Sequence, residues 1–472
     1  MSEPASIVPG RSEAFPRGTL ILLALFVFSL PSVTPRLYAA DEIEYFAFLR
    51  SLWFDHDLSF DNEYRYFYDR GIARAYGFHH TFLELTSETG RRLNFGTIGP
   101  AILWAPMYGI ADVAVRVARS RGATIPADGF SRPYLAAVAY GSAFYGFLAV
   151  LMSASIARRL TGGGDLASVV VWIGTPLLFY THIAPGMAHA CSAFAVAAFV
   201  AAWIRVRQRW TMRGMVALGA LAALMTMVRE QDAFCVLGVA VDFVWGVLER
   251  WRGGRAGEMP ARLRAAAGGT AAFAVCMLPQ AWAYIVLNGH LGPSSIVSNK
   301  MQWLAPHSLQ VLFSPEHGLF VWTPLALLCV VGLLLALRPS NAAALGPDHH
   351  RIVIGLLIIF AAQVYVTGSV GTWTVAGSFG QRRFVAMSVV FIIGLAHFLY
   401  TVGGRRRQVL WAAVVMSIWW NLGLMAQFGA GLMDRQRLEP DRNAYNTFVV
   451  VPRMLPGLAY RYVFDRSSFF RK

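Results

Sequence analysis

The chain has 472 residues, of which 56% are hydrophobic and 14% charged, with a formal net charge of +15. A soluble domain carries about 25% charged residues, so the composition excludes an ordinary soluble globule and indicates a polytopic α-helical membrane protein. In a soluble protein the basic excess would suggest nucleic acid; here the arginines cluster between apolar runs, as the positive-inside rule produces, and no nucleic-acid partner is expected.

Residues 1–17 read as a cytoplasmic N-terminus. Arg11 and Arg17 precede the first apolar run, Thr19 to Val33, so the first helix runs from the cytoplasm outward. A cleaved signal peptide ending near Ala39 competes with this. Leu37 at minus three fits the small-x-small rule poorly, which favours an uncleaved anchor. A polar-aromatic segment follows over residues 38–132, read as one large extracytoplasmic loop. Its apolar piece, Ile98 to Tyr108, holds two prolines and paired aromatics, which suits an interfacial helix better than a deep one. If it spanned, the Arg-rich loops downstream would alternate badly between the two sides.

The spans then follow as Pro133–Ile156, Leu166–His182, Met187–Ile204, Gly214–Val228, Phe234–Leu248, Ala265–Leu287, Leu319–Leu337, Ile352–Thr367, Phe384–Tyr400 and Val409–Phe428. With the first helix they make a bundle of about eleven, within ten to thirteen. Arg158-Arg159, Arg205 to Arg213, Arg250 to Arg264, Arg338 to Arg351 and Arg405 to Arg407 all fall on the cytoplasmic side. Residues 18–430 thus form one transmembrane domain, and 431–472 a short extracytoplasmic tail with turn signals and aromatics. Cys191, Cys235, Cys276 and Cys329 all lie in apolar runs without metal-ligand spacing, so neither a disulfide framework nor a zinc site is expected.

This topology gathers the chemistry on the outside. Asp41, Glu42 and Glu44 follow the first helix directly. His182 and His189 bracket the second outside turn, and Arg229-Glu230-Gln231-Asp232 makes the third. Glu316-His317-Gly318 ends the fourth, and Ser378-Phe379-Gly380-Gln381-Arg382-Arg383 makes the fifth. A carboxylate can take a proton from an acceptor hydroxyl, and arginines can hold a phosphate bidentately. Each feature also has a plainer explanation. Asp41 and Glu42 would serve as helix-start acids, and Arg382 and Arg383 as headgroup anchors. The histidines would only hydrogen-bond, and Arg229 would pair with Glu230. The acids Asp55, Asp57, Asp61 and Glu63 lack the turn glycine of a calcium loop and read as turn acids.

An acidic pair just past the first transmembrane helix, a long first outside loop with surface helices and some eleven spans resemble the C-type (GT-C) glycosyltransferases. That group includes the protein O-mannosyltransferases and the aminoarabinose transferases of lipid A. As a motif the resemblance rests on Asp41-Glu42. Ile98 to Tyr108 is similar in place to the family's Lys-Pro-Pro segment, whose own motif is missing, and Leu312 to Leu319 and Ser378 to Phe384 look like stretches in bacterial membrane proteins of the group. His182 and His189 stand where some relatives carry a second acid. The resemblance implies a polyprenyl-phosphate sugar donor and a catalytic carboxylate at Asp41 or Glu42. From their own chemistry and place on the outside, Arg382, Arg383, His182, His189, Arg229 and His317 are the expected substrate or lipid-phosphate contacts. The expected protein is an inverting glycosyltransferase of the cell inner membrane, its site facing the periplasm, acting on a glycan, lipid or protein hydroxyl. No metal ligands are assigned, and help from a divalent cation stays open. A lipid or small-solute transporter is the rival class; it would favour ionisable residues at mid-bilayer and paired repeats, neither of which is visible. A ligase of whole polyprenyl-linked glycans is the third reading.

Overall fold

The structure is a computed structural model that describes residues 17–73, 75–338, 347–402 and 405–469. The expected cytoplasmic N-terminus before residue 17 and the middle of the Arg338–Arg351 loop lie outside the described residues. Within the described residues the fold is all-α, with only the isolated bridges Thr86–Arg92 and Met301–Val370.

In chain order the main helices are α1 Arg17–Ser29, α2 Ala40–Arg50, α3 Asp61–Asp69, α4 Gly99–Ser120, α5 Arg132–Thr161, α6 Asp165–Gly174, α7 Leu177–His182, α8 His189–Val206 and α9 Met212–Val228. They continue as α10 Val236–Arg252, α11 Met259–Cys276, α12 Leu278–Asn288, α13 Pro324–Ala336, α14 Pro347–Ser369, α15 Ser388–Thr401, α16 Arg405–Ala430 and α17 Val451–Phe464. Among the described residues seven helical stretches are long and apolar enough to cross a membrane, and α11 with α12, bent by 42°, would make an eighth. Four shorter apolar helices (Arg17–Ser32, Asp165–Gly174, Met212–Val228 and Pro324–Ala336) account for the rest of the expected spans; since one of the seven, Gly99–Ser120, falls in the expected first loop, the count of eleven requires all four to cross as well.

Prolines and glycines set the breaks. Pro176 separates α6 from α7, and Pro279 sits just past the α11–α12 bend, where a proline removes an intrahelical donor. Gly162 and Gly289 end α5 and α12 at φ of 75° and 76°, the left-handed cap that glycine adopts without strain.

The ends of the helices separate two faces of the bundle. At one end Arg158 pairs with Asp165, and Gly18 packs on the same carboxylate. The last turn of α8 reaches that end too, where Arg207 and Arg351 share Asp242 at 2.9 and 2.8 Å. At the other end Ser29 meets His182. The arginine loops described here therefore gather away from the acidic pair.

Helix α4 is twice the length expected for the Ile98–Tyr108 piece and meets the length and hydropathy of a span. Its bonds nevertheless run to the first half of α5. Tyr145 donates to the Leu103 carbonyl, Trp104 to Ser142, and Tyr134 to Asp112. Its start packs on Met227 and Val228, at the site end of α9. The tail is helical rather than irregular. Asn443 and Thr447 bond Gln427 of α16, and Arg466 donates to the carbonyls of Pro31, Ser32 and Val33 at the end of α1.

Candidate active site

Helix α2 begins at an extended Ala39, and Glu42 closes its first turn: Oε2 accepts the N–H groups of Tyr38 at 2.9 Å and Ala39 at 3.0 Å. This is the carboxylate half of a capping box. The Glu42 side chain is fully buried, with Gly186 of the turn between α7 and α8 facing it so closely that a Cβ there would crowd Oε1. Burial pushes its carboxyl up to about 7, against the two N–H bonds that lower it. Glu42 therefore occupies the helix-start position that one reading of the sequence allowed.

Successive residues on a helix point about 100° apart, so Asp41 faces elsewhere. Its companions on one face are Glu44 and Tyr45, three and four residues on. Asp41 is part-exposed and receives Arg382 Nη1 at 2.7 Å. The Arg382 side chain is 20% exposed, and its Nε is buried without a partner among the described residues. Arg229 and Arg382 both act on the Tyr45 hydroxyl, and Lys300 acts on Glu44. Lys300 reaches in from the loop after α12, 5.8 Å from the Phe95 ring.

The two neighbouring arginines separate. Arg383 turns away to the carbonyl and hydroxyl of Thr372, at 3.1 and 3.2 Å. His189 receives Arg229 Nη1 at 3.1 Å and sits edge-on to Tyr180, 4.5 Å between ring centres. It is thus in the cluster, while His182 is drawn to Thr181 and Ser29 at 2.7 and 2.9 Å. Arg229 and Glu230 are not hydrogen-bonded partners; Glu230 accepts from Tyr284 instead.

His317 lies at φ 63°, a left-handed conformation uncommon outside glycine. Its ring stacks on Trp322 with 4.4 Å between centres and bonds the Ser378 carbonyl at 3.0 Å. Its own carbonyl accepts from Gln381, the residue before Arg382, at 3.2 Å. Burial lowers its imidazole to about 4, so the neutral ring donates from Nε2. Fully buried, His317 braces the loop that carries Arg382.

Beside this cluster opens a cavity of about 1200 Å³. Tyr38 and Ala39 form one edge, Phe179 and His182 another, and α16 and α17 the far wall. The lining is mostly apolar, with Arg36, Arg70, Arg435 and Arg466 among it. No group of three or more His, Cys, Asp or Glu placed to hold a metal occurs among the described residues. The first-loop acids are engaged otherwise: Arg50 pairs with Asp55 and Glu63, Ser51 donates to Asp57, and Arg65 and Arg92 flank Asp61.

Sequence reasoning named Glu44 but gave it no role, and it passed over Lys300. The available signals were the three-residue spacing from Asp41 and the rarity of lysine, which occurs only at 300 and 472.

No family model matches the chain, and no curated protein matches it in sequence. Among solved structures it is similar to ArnT from Cupriavidus metallidurans bound to undecaprenyl phosphate, with a TM-score of 0.51 and 15% identity over 97% of this chain and 74% of that one. The apo form of the same protein gives a TM-score of 0.49 and 15% identity over 96% and 72%. The first of these establishes an all-α membrane fold like that of ArnT for this chain.

Proposed function

We propose that the protein is a membrane glycosyltransferase moving one sugar from a polyprenyl-phosphate carrier to an acceptor hydroxyl at the outer face of the cell inner membrane. The observation that carries this reading is the Asp41–Arg382 pair at the start of α2, the helix after the first apolar one, beside a large apolar cavity with arginines in its lining. The neighbour's bound undecaprenyl phosphate supports the donor class.

In this reading Asp41 is the general base and Arg382 the phosphate ligand. With no substrate present the two neutralise each other. A donor phosphate competes for Arg382, whose planar fork suits its oxygens. Asp41 is then released to take the acceptor proton as the acceptor oxygen attacks the anomeric carbon. Arg229, bonded to His189, adds a second positive charge, and its Nε is buried without a partner among the described residues. A single displacement of this kind inverts the anomeric centre. The cavity takes the lipid chain, with Arg70 and Arg435 toward an anionic headgroup. Residues 38–132, α4 included, are the first extracytoplasmic loop, and the tail beyond residue 430 lies on the same side. The acceptor is a glycan, lipid or protein hydroxyl.

The test is transfer of labelled sugar by the purified protein in lipid, from a panel of polyprenyl-phosphate sugars. Transfer by the wild type and not by a folded Asp41→Asn variant supports the reading. Equal transfer by both removes Asp41 from the chemistry. No transfer from any donor refutes the reading and favours a transporter, for which lipid flux is the next assay.

A further inference from the structure

The Glu44 carboxyl is the ionisable group facing the candidate site that the chemistry above leaves unused. It is the fifth residue of α2, past the first turn, so helix capping does not explain it. It is 5% exposed, and burying a carboxyl is costly unless the group is neutral or paired.

We infer that Glu44 is the second acid of the site, giving its proton to the leaving phosphate while Asp41 takes one from the acceptor. The inference rests on the sugar-transfer reading. Three observations carry it. Glu44 shares a helix face with Asp41 at three-residue spacing, and the Arg382 guanidinium paired with Asp41 is close enough to act electrostatically on Glu44 as well. Its Oε1 accepts the Phe95 N–H at 2.7 Å, which fixes the group and leaves Oε2 to carry a proton. Asn94 donates to the Glu44 carbonyl at 3.0 Å, so the 94–95 segment is bound to α2 at two points. The neighbouring acids are engaged: Glu42 with its own helix start, Glu230 with Tyr284 and Asp232 with Ser192.

The charged and titratable groups around Glu44 are Asp41 and Tyr45 on its own helix, Tyr64 from α3, Arg382 from the segment before α15, and Lys300 from the loop after α12. Burial, aided by Asp41, raises its carboxyl well above the ordinary carboxylate range; the Phe95 N–H, Arg382 and Lys300 oppose this without cancelling it. Burial thus favours the protonated form of Glu44, near an arginine that gathers phosphate.

The step balances. The acceptor oxygen forms a bond to the anomeric carbon, and the bond from that carbon to the phosphate oxygen breaks. The acceptor hydroxyl proton goes to Asp41, and the Glu44 proton goes to the departing phosphate oxygen. Asp41 then returns a proton to Glu44, directly or through water. The products are the glycosylated acceptor and the polyprenyl hydrogen phosphate.

The experiment is the pH dependence of kcat for wild type, Glu44→Gln and Glu44→Asp, using the full chain in lipid with whichever polyprenyl-phosphate sugar the wild type accepts. Glutamine still accepts the Phe95 N–H but cannot ionise. The expected result is a wild-type rate that falls on the alkaline side. Glu44→Gln is then at least about 100-fold slower at pH 7, with no alkaline limb and a donor KM within threefold. Glu44→Asp keeps the limb. A Glu44→Gln enzyme that retains the wild-type limb, or a third of its kcat, overturns the inference while leaving sugar transfer intact. A wild type inactive with every donor overturns both. An infrared titration of the same samples needs no substrate: lack of a protonated-carboxyl band at pH 7 that Glu44→Gln removes also overturns the inference.

Discussion

Arg382 Nη1 lies 2.7 Å from Asp41 Oδ2, joining the start of α2 to the segment ahead of α15, far apart in sequence. The pair is part-exposed, so it contributes little to stability, of the order of 0–1 kcal/mol. Its expected importance is to the reaction. Asp41→Asn lowers kcat about 10²- to 10⁴-fold with an unchanged melting temperature. Arg382→Lys keeps the charge and loses the fork, raising donor KM more than it lowers kcat. Steady-state kinetics of both variants with thermal unfolding in lipid check this; wild-type kinetics in Arg382→Lys would exclude the phosphate role.

Glu42 is expected to behave oppositely. Glu42→Ala leaves the Tyr38 and Ala39 N–H groups without their acceptor, a loss of about 1–3 kcal/mol. Glu42→Gln keeps an acceptor and most of the activity. The pH sign follows from protonation at about 7 in the fold against the ordinary carboxylate range when unfolded. Between those values the folded protein binds the extra proton. This group's contribution is therefore complete at acid pH and is lost as pH rises through 7. Melting curves from pH 5 to 8 should show a shallower decline in Glu42→Gln than in the wild type.

The helices were legible because apolar runs of span length leave little alternative, and the arginines between them labelled one face. The site was legible only as a neighbourhood. Adjacency in sequence joined Asp41 to Glu42, whereas helical rotation joins Asp41 to Glu44. Arg382 and Arg383 were inseparable in sequence because the backbone turn that sends one to Asp41 and the other to Thr372 is set by contacts with distant loops. Arg229–His189 depends on how α8 and α9 meet, which periodicity does not encode. The length of α4 was missed for a local reason: the apolar piece was bounded at Tyr108, yet the helix runs through Pro106 and continues to Ser120 with Asp112, Arg116 and Arg119 in its second half.

His317 should act on the reaction only through Arg382. His317→Ala removes the bond to Ser378 and the stack on Trp322, which hold the loop leading to Gln381 and Arg382. The expected outcome is a loss of about 2–4 kcal/mol, from a buried hydrogen bond together with an aromatic contact, and a raised donor KM. His317→Asn adopts the left-handed backbone readily and should recover part of the stability. Full donor affinity in a destabilised His317→Ala would uncouple the brace from the phosphate site.

Arg50 holds the first loop through Asp55 and the fully buried Glu63, with its guanidinium 4.5 Å above the Phe130 ring. Arg50→Ala strands Glu63, whose carboxyl burial already raises to about 7. Removing one partner of a buried pair costs about 3–5 kcal/mol, whereas replacing both by apolar residues can be neutral. The double variant Arg50→Met, Glu63→Leu should therefore melt above Arg50→Ala. If instead it melts as low, the loop depends on the Arg50 bond to the Asp128 carbonyl or on the Asp55 pair.

The cavity supplies the test of where the lipid chain goes. Ala426 lies on its α16 wall and Arg435 on its edge, and neither touches Asp41 or Arg382. Ala426→Trp fills apolar space without adding charge, so it should raise donor KM about tenfold or more while kcat at saturation stays within threefold. Arg435→Glu reverses one charge and should weaken binding of an anionic donor or acceptor more at low salt than at high salt. Removal of this arginine also loses its stack on Phe428, 4.3 Å away, so Arg435→Gln is the control that separates charge from packing. A donor KM unmoved by Ala426→Trp, together with a raised acceptor KM, would assign the cavity to the acceptor and require a second groove for the isoprenoid. Unchanged KM for both would leave the cavity outside the reaction altogether.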